Sequence, residues 1–390
     1  MSVARKRRSA APAVVAGVDL NGLGVVRALA RAHVPTIALD TDLDKETMAS
    51  RFGSKLVLRA LSGPAFVEDL LKIRERFDTN PVLLLTQEAS VATVSAARDR
   101  LSPAYRFTMP PHQLMEALLD KLRFQALAEE KGCRIPRAVR VTARAGIEES
   151  KSLRYPCVLK PTTKDLEYAK HFAKAYKVAD PDEVSRLWER MRAVVNEIIV
   201  QEWIEGGDAD VYFCLQYRGQ GRDPVSFVGR KICQWPPLVG GTASCMPAPE
   251  AESELVELTN QFFDAVGFVG IGSMEFKRDV RDGRFYMVEP TVGRTDFQEE
   301  IAVLNGVNIP LAAYLGEIGA PPPPPSHPTR RYGWRDPFGY AKAIAAGSPD
   351  PMLALSPGIR IVDAYFRVED PMPYLALKWT SLRRRLSWLS

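Results

Sequence analysis

The chain is poor in the residues and patterns that mark several large classes of protein. Its 390 residues include only four histidines and five cysteines, Cys133, Cys157, Cys214, Cys233 and Cys245, an odd number with no C-x-x-C spacing. That excludes a disulfide framework and a conventional zinc set, and it fits free thiols in a reducing cytoplasm. No apolar run approaches the ~20 residues that cross a bilayer. The charge is nearly balanced, 52 Lys and Arg against 47 Asp and Glu for a net +5, and the basic residues gather at the termini, Arg5 to Arg8 and Arg383 to Arg385. Without a basic stripe interleaved with aromatics, no nucleic acid is expected as a partner. There is no internal repeat, and no convincing Ser/His/Asp or Cys/His set for nucleophilic catalysis.

What is present suffices for two or three packed domains, since 46% of the residues are hydrophobic. The start, basic residues and then AAPAVVAGV, has the outline of a signal peptide, but the run meets Asp19 without a cleavage context. Residues 1–12 are therefore expected to be a disordered basic tail before a buried strand. From Ala13 the text reads strand, Gly-rich turn (Gly17 to Gly24), helix VVRALARAH and strand TIALD, a βαβ opening. A further strand, PVLLLTQE, and an alanine-rich helix from Ala89 to Leu101 complete an open parallel sheet. Ligands of such sheets gather at strand C-terminal ends, here the turn after Val15 and the segment Thr86 to Glu88. Gly22-Leu23-Gly24 hints at a dinucleotide turn, but position 27, where a third glycine would fall, is Arg.

Helical sequence from Gln113 to Lys131 leads into short strands broken by turns, an α+β region with antiparallel hairpins. The most informative piece is GSMEFKRDVRDGRFYMVEP. Two β-rich runs flank Arg281-Asp282-Gly283, a three-residue loop with glycine where a positive φ is wanted. If Val280 faces Arg284, Glu275 lies opposite Glu289. Facing like charges are destabilising, so something positive belongs between them. Mg²⁺, which takes one or two carboxylates plus substrate phosphates, is one candidate; Lys277 neutralising two solvated glutamates is the other. Two further pieces are ambiguous alone. YPCVLKP ends a buried strand with Lys160, either an exposed strand end or a charge offered to a phosphate. VQEWIEGGD runs a strand into a turn, either a polar β-turn or a hinge offering backbone groups to an adenine.

In their order and spacing these pieces resemble the ATP-grasp superfamily of carboxylate-amine ligases. The resemblance runs from about Ala13 to about Leu315, through Asp120-Lys121, YPCVLKP, QEWIEGGD, SMEF and VEPTVGR. It is strongest to bacterial ATP-grasp proteins of cell-surface and polysaccharide gene neighbourhoods, and more distant to D-aspartate and D-alanine ligases. The implied architecture is a Rossmann-like α/β domain over 13–115, an ATP-grasp lobe over 116–200, a second lobe with a magnesium site over 201–320, and a Pro-rich linker with a C-terminal extension over 321–390. The implied function is formation of an amide from a small-molecule carboxylate and an amine through an acyl phosphate, with ATP and Mg²⁺ as cofactors. An ATP-grasp kinase or thiol ligase, or a non-catalytic nucleotide-binding scaffold, would carry the same nucleotide residues.

By position, the resemblance makes Lys121 and Lys160 phosphate ligands, Gln201, Glu202 and Ile204 the adenine hinge, and Asp208 the ribose-binding acid. Glu275 and Glu289 match the Mg²⁺-bridging carboxylates. Thr291 stands where related enzymes often carry Asn as a further metal ligand. The phosphate-covering loop here reads TTKDLEYAKHF, with Thr162, Thr163 and Lys164 as its candidate contacts. At the reacting end, Arg294 and Lys231 are candidate catalytic groups, a guanidinium beside an acyl phosphate being able to stabilise developing charge; a salt bridge from Arg294 to Asp296 or Glu299 is the alternative. The Gly240-Gly241 loop is placed to close over a substrate.

Pro321 to Pro325 form a stiff linker or cap. In the tail, Leu375, Trp379, Leu382, Leu386 and Leu389 recur at helical spacing beside Lys378 and Arg383 to Arg385. The first expectation is that this stripe docks on its own protein. The alternative is peripheral attachment to an anionic membrane, at the inner face of the membrane for a cytoplasmic enzyme. A homo-oligomer is left open.

Overall fold

A computed structural model describes residues 11–162, 170–173, 175–326, 328–348 and 358–387. The basic tail up to residue 10, Thr163, Lys164 and Leu389 lie outside the described residues, as does the side chain of Leu386. Three sheets organise the chain. The first is parallel, in the order β3-β2-β1-β4, from β1 (Ala13–Ala16), β2 (Thr36–Asp40), β3 (Ser54–Val57) and β4 (Val82–Leu85). Strands β1, β2 and β4 are apolar almost throughout because helices cover both faces.

The glycines after β1 serve close packing. A Cβ on Gly22 would lie 2.0 Å from the Gly17 carbonyl oxygen, and one on Gly24 would lie 2.9 Å from the Glu300 Cβ. Thr86 Oγ closes the same turn by donating to the Ala16 and Gly17 carbonyls at 3.0 and 2.7 Å. The residue in the third-glycine place, Arg27, is fully buried and serves the C-terminal segment instead.

The expected helix from Gln113 to Lys131 is two helices, His112–Leu119 and Lys121–Glu130. Asp120 between them is extended, and its carboxylate accepts from the Leu122 and Arg123 amides, so the second helix starts with Lys121 at its first turn. The second sheet is antiparallel, in the order β5-β8-β6-β7, from β5 (Ala138–Val141), β6 (Cys157–Pro161), β7 (Tyr176–Val178) and β8 (Ile198–Glu202). The helix Pro181–Met191 covers it, burying Val184, Leu187, Trp188 and Met191 at helical spacing.

The third sheet has seven strands in the order β13-β12-β9-β10-β11-β14-β15. They are β9 (Val211–Arg218), β10 (Val225–Trp235), β11 (Gly241–Pro247), β12 (Gly270–Arg278), β13 (Phe285–Val292), β14 (Arg331–Arg335) and β15 (Ile359–Asp363). The last two were not expected: the region after the prolines is continuous with the main sheet, β14 pairing antiparallel with β11 and β15 parallel with β14. Pro322 to Pro325 line a groove against Val256 and Asn260 of the helix Glu252–Ala265 and act as a cap.

The C-terminal segment is locked to the first domain by buried charge. Arg27 Nε donates to Asp370 Oδ2 at 2.9 Å, and its other nitrogens donate to the Ala364 and Tyr365 carbonyls at 2.6 and 2.8 Å. Asp370 also accepts from Ser50 Oγ and the Arg51 amide, while Arg367 lies 2.7 Å from Glu300. From this clasp the helix Met372–Ser387 runs over the turn Glu46–Ala49. Among the described residues no helix is long and apolar enough to cross a membrane.

Candidate active site

Glu275 on β12 does face Glu289 on β13, but the hairpin reaches that register by two offsets that cancel. At the turn the loop is one residue longer than with Val280 against Arg284: the Asp279 amide donates to the Arg284 carbonyl at 2.9 Å, and Arg278 faces Phe285. A bulge then inserts Val288 between Met287, opposite Phe276, and Glu289, opposite Glu275. Bulges re-aim side chains beside functional sites, and this one turns Glu289 and Val288 into the same cavity as Glu275.

The cation that pairs with Glu275 is Lys231, not Lys277. Lys231, buried on β10, places Nζ 2.6 Å from Glu275 Oε2 and 3.1 Å from Gln234 Oε1. Lys277 instead donates to the Gly206 and Gly207 carbonyls at 3.0 and 2.5 Å, clamping the turn after β8, and burial lowers its pKa.

A cavity of about 560 Å³ opens between the second and third sheets and is lined by every described site residue nominated from sequence except Asp208 and Thr162. Its nucleotide-like wall carries Lys121, Lys160, Gln201, Glu202 and Ile204, and the opposite wall carries Lys231, Glu275, Glu289, Thr291 and Arg294. Lys160 Nζ donates to Gln201 Oε1 at 3.1 Å, and Gln201 Nε2 in turn donates to Gln125 at 3.0 Å, so the hinge glutamine also orients the strand lysine. Lys121 Nζ reaches the Pro161 carbonyl at 3.4 Å. The Glu202 carboxylate turns outward to the Arg154 amide at 2.9 Å. The Ile204 amide, by contrast, donates to no acceptor among the described residues and borders the cavity.

Asp208 sits elsewhere. Its Oδ2 accepts from the Gln234 amide at 2.8 Å, and its Oδ1 accepts from Gln234 Nε2 and the Leu238 amide at 3.1 and 2.7 Å. Both carboxylate oxygens are engaged by Gln234, at the end of β10, and by Leu238 in the β10–β11 turn, and the side chain does not line the cavity, so a ribose contact is not where the structure puts it. Thr162 donates to Glu197 at 2.7 Å and lines a smaller adjoining pocket that shares Lys121, Lys160 and Glu289 with the cavity.

At the far end Arg294 forms no ion pair with Asp296 or Glu299; its guanidinium donates to the Thr295 carbonyl at 3.0 Å and borders the cavity. Asp296 is engaged by Ser273 Oγ at 2.9 Å and Gln298 Nε2 at 3.2 Å. Glu299, beneath this loop, is fully buried with Oε1 unpartnered, and desolvation pushes its pKa up to about 8.

Sequence reasoning missed Trp203, Phe172 and Gln298, which also line the cavity. Trp203 is held by the Lys177 ammonium 4.5 Å above its ring. Its neighbours in QEWIE were singled out for backbone groups, and no spacing rule distinguished the indole. The arrangement as a whole can neutralise a polyanion between two lysines and a pair of carboxylates able to share a hard cation. Among the described residues no group of three or more His, Cys, Asp or Glu side chains is gathered to hold an ion without further ligands.

No family model matches the chain. D-alanine–D-alanine ligase B of Pseudomonas putida is 25% identical to it over 187 residues, 46% of this chain and 56% of that relative, so the chain spans about half the length of the curated relatives it matches. Among solved structures, N5-carboxyaminoimidazole synthetase of Staphylococcus aureus complexed with ADP superposes with a TM-score of 0.63 at 14% identity, over 80% of this chain and 78% of that one. The ATP complex of biotin carboxylase from Campylobacter jejuni gives 0.64 at 14%, over 80% and 72%. The fold of this chain is the ATP-grasp fold, two sheets closing on a shared cavity behind a parallel α/β domain.

Proposed function

We propose that the protein is an ATP-dependent carboxylate-amine ligase. The observation that carries the reading is the pair Glu275 and Glu289, register-matched on neighbouring strands and facing a cavity whose other wall bears Lys121 and Lys160. Two facing carboxylates are unfavourable in isolation, and they fit a hard divalent cation that completes its shell with phosphate oxygens, water and the Thr291 hydroxyl. Mg²⁺ bound there would neutralise charge on the transferring phosphoryl group.

In this reading the Ile204 amide and the Trp203 side of the hinge meet the adenine, while Lys121 and Lys160 neutralise the phosphates. A substrate carboxylate oxygen attacks the γ-phosphorus, and ADP leaves. The amine then attacks the acyl carbon, phosphate leaves with the acyl C–O bonding pair, and the nitrogen loses a proton to give the amide. Arg294 borders the position where charge develops on the acyl phosphate, and Lys231 keeps Glu275 oriented from behind. The cavity volume admits a nucleotide together with small acceptors. The cytoplasm, where ATP is abundant and the five cysteines stay reduced, is the compartment that suits the reading.

The test is a screen of the purified chain with Mg-ATP against paired amino acids, amino sugars and small carboxylates, following ADP release and product mass together. Amide product with stoichiometric ADP and phosphate is expected. A phosphorylated metabolite with no amide would move the protein to the kinase reading.

A further inference from the structure

The C-terminal helix faces the opposite way from the docking expected of its apolar stripe. Pro373 is buried and Tyr374, Ala376, Leu377 and Thr380 are half-buried, so these residues seat the helix Met372–Ser387 on the body of the protein. Met372, Leu375, Trp379 and Leu382 point outward, 44%, 52%, 56% and 48% exposed. At about 100° per residue these four fall within an arc of about 80°. Lys378 and Arg383 lie on its two borders, Arg383 stacked 5.1 Å over the Trp379 ring and Lys378 5.1 Å over Tyr374. The sequence Met372–Ser387 contains no acidic residue.

The turn before the helix presents the same chemistry. Phe366 and Val368 are 43% and 84% exposed, whereas Arg367 and Asp370, alternating with them, are drawn inward by Glu300 and Arg27. The outward apolar pair is therefore fixed in place by buried charge, and it is not the result of a loose end. An apolar ridge that carries an indole and is bordered by cations, with the Glu369 carboxylate beside Val368 paired to Arg31, matches the boundary between acyl chains and anionic headgroups.

We propose that the turn Phe366–Val368 and the outer face of the helix Met372–Ser387 form a docking surface for an anionic lipid bilayer, which the protein binds peripherally. The inference goes beyond the ligase reading and stands independently of it. Lys378 and Arg383 on the two borders of the ridge suit a flat, negatively charged plane better than an apolar protein groove.

The test is flotation of the full chain with vesicles of phosphatidylcholine alone or with about one-third phosphatidylglycerol. Two variants are compared with the wild type, L375E/W379E on the helix and V368D on the turn. Because these side chains point outward, both variants should keep the wild-type melting temperature. Binding to the anionic vesicles is expected, weaker by ~10-fold or more on phosphatidylcholine alone, at raised salt and in L375E/W379E, with a smaller loss in V368D. Absence of wild-type binding to anionic vesicles overturns the proposal. So does undiminished binding by both variants, or a wild-type dimer that L375E/W379E converts to monomer without any vesicle binding, which would assign the face to a second copy of the chain.

Discussion

The β12–β13 hairpin and the C-terminal helix both carry strong periodic patterns, yet only the hairpin's pattern led to the right neighbour. In the hairpin, the partner of Glu275 lies on the next strand across a short turn, and pairing is governed by local rules. Even the Val288 bulge left the pairing intact, because it compensated the longer turn. In the helix the period was right and the facing was not. Which side docks is decided by the Arg27–Asp370 contact, 343 residues apart in sequence, which seats Pro373 inward and leaves Trp379 outside. Short-range pairing is readable from sequence, whereas the orientation of an amphipathic element depends on long-range partners.

Breaking the long-range lock should have the largest effect on stability. Asp370→Ala leaves the buried Arg27 guanidinium with only Glu300, 3.7 Å away, as a carboxylate partner and should cost about 3 kcal/mol in urea unfolding, with loss of the helix seat seen as faster amide exchange over residues 359–383. A loss under ~1 kcal/mol would show that Arg27 is satisfied by the Ala364 and Tyr365 carbonyls alone.

A smaller effect is expected at Glu299, near the hairpin. Its folded-state pKa, about 8, lies above the ordinary 4.5, so the folded protein holds a proton that the unfolded chain releases between those values. Stability contributed by the protonated group is complete at low pH and declines as pH rises toward 8. Glu299→Gln, which mimics the protonated form, should flatten that decline and leave the variant more stable than wild type above pH 8, by a few kcal/mol at most. Parallel pH profiles of the two proteins would remove Glu299 from this role.

Much of the site was legible because the ATP-grasp resemblance and the hairpin register named residues on separate elements that the fold brings to one cavity. The failures share a cause. Asp208 matched by position, but two donors from Gln234 at the end of β10 and one from Leu238 in the turn after it occupy its carboxylate, and that segment is distant in sequence. Lys277 was the alternative to a metal ion as the neutralising charge because it is two residues from Glu275, yet the carbonyls of Gly206 and Gly207 capture it and Lys231 reaches Glu275 from another strand. Strands β14 and β15 were missed because RYGWR and IRIVD are short and become strands by extending an existing sheet edge.

The central claim is that Glu275 and Glu289 share a magnesium ion with bound ATP, and thermal melts of Glu275→Gln and Glu289→Gln with and without Mg-ATP test it most directly. Without ligand, Glu289→Gln should melt at or slightly above wild type, since relief of a facing like-charge pair is worth at most about 1 kcal/mol. Glu275→Gln should melt slightly lower, because Lys231 loses its carboxylate. In both, the stabilisation by Mg-ATP seen in the wild type should be largely lost, together with magnesium-dependent turnover. A wild-type-sized Mg-ATP stabilisation in both variants would contradict the account.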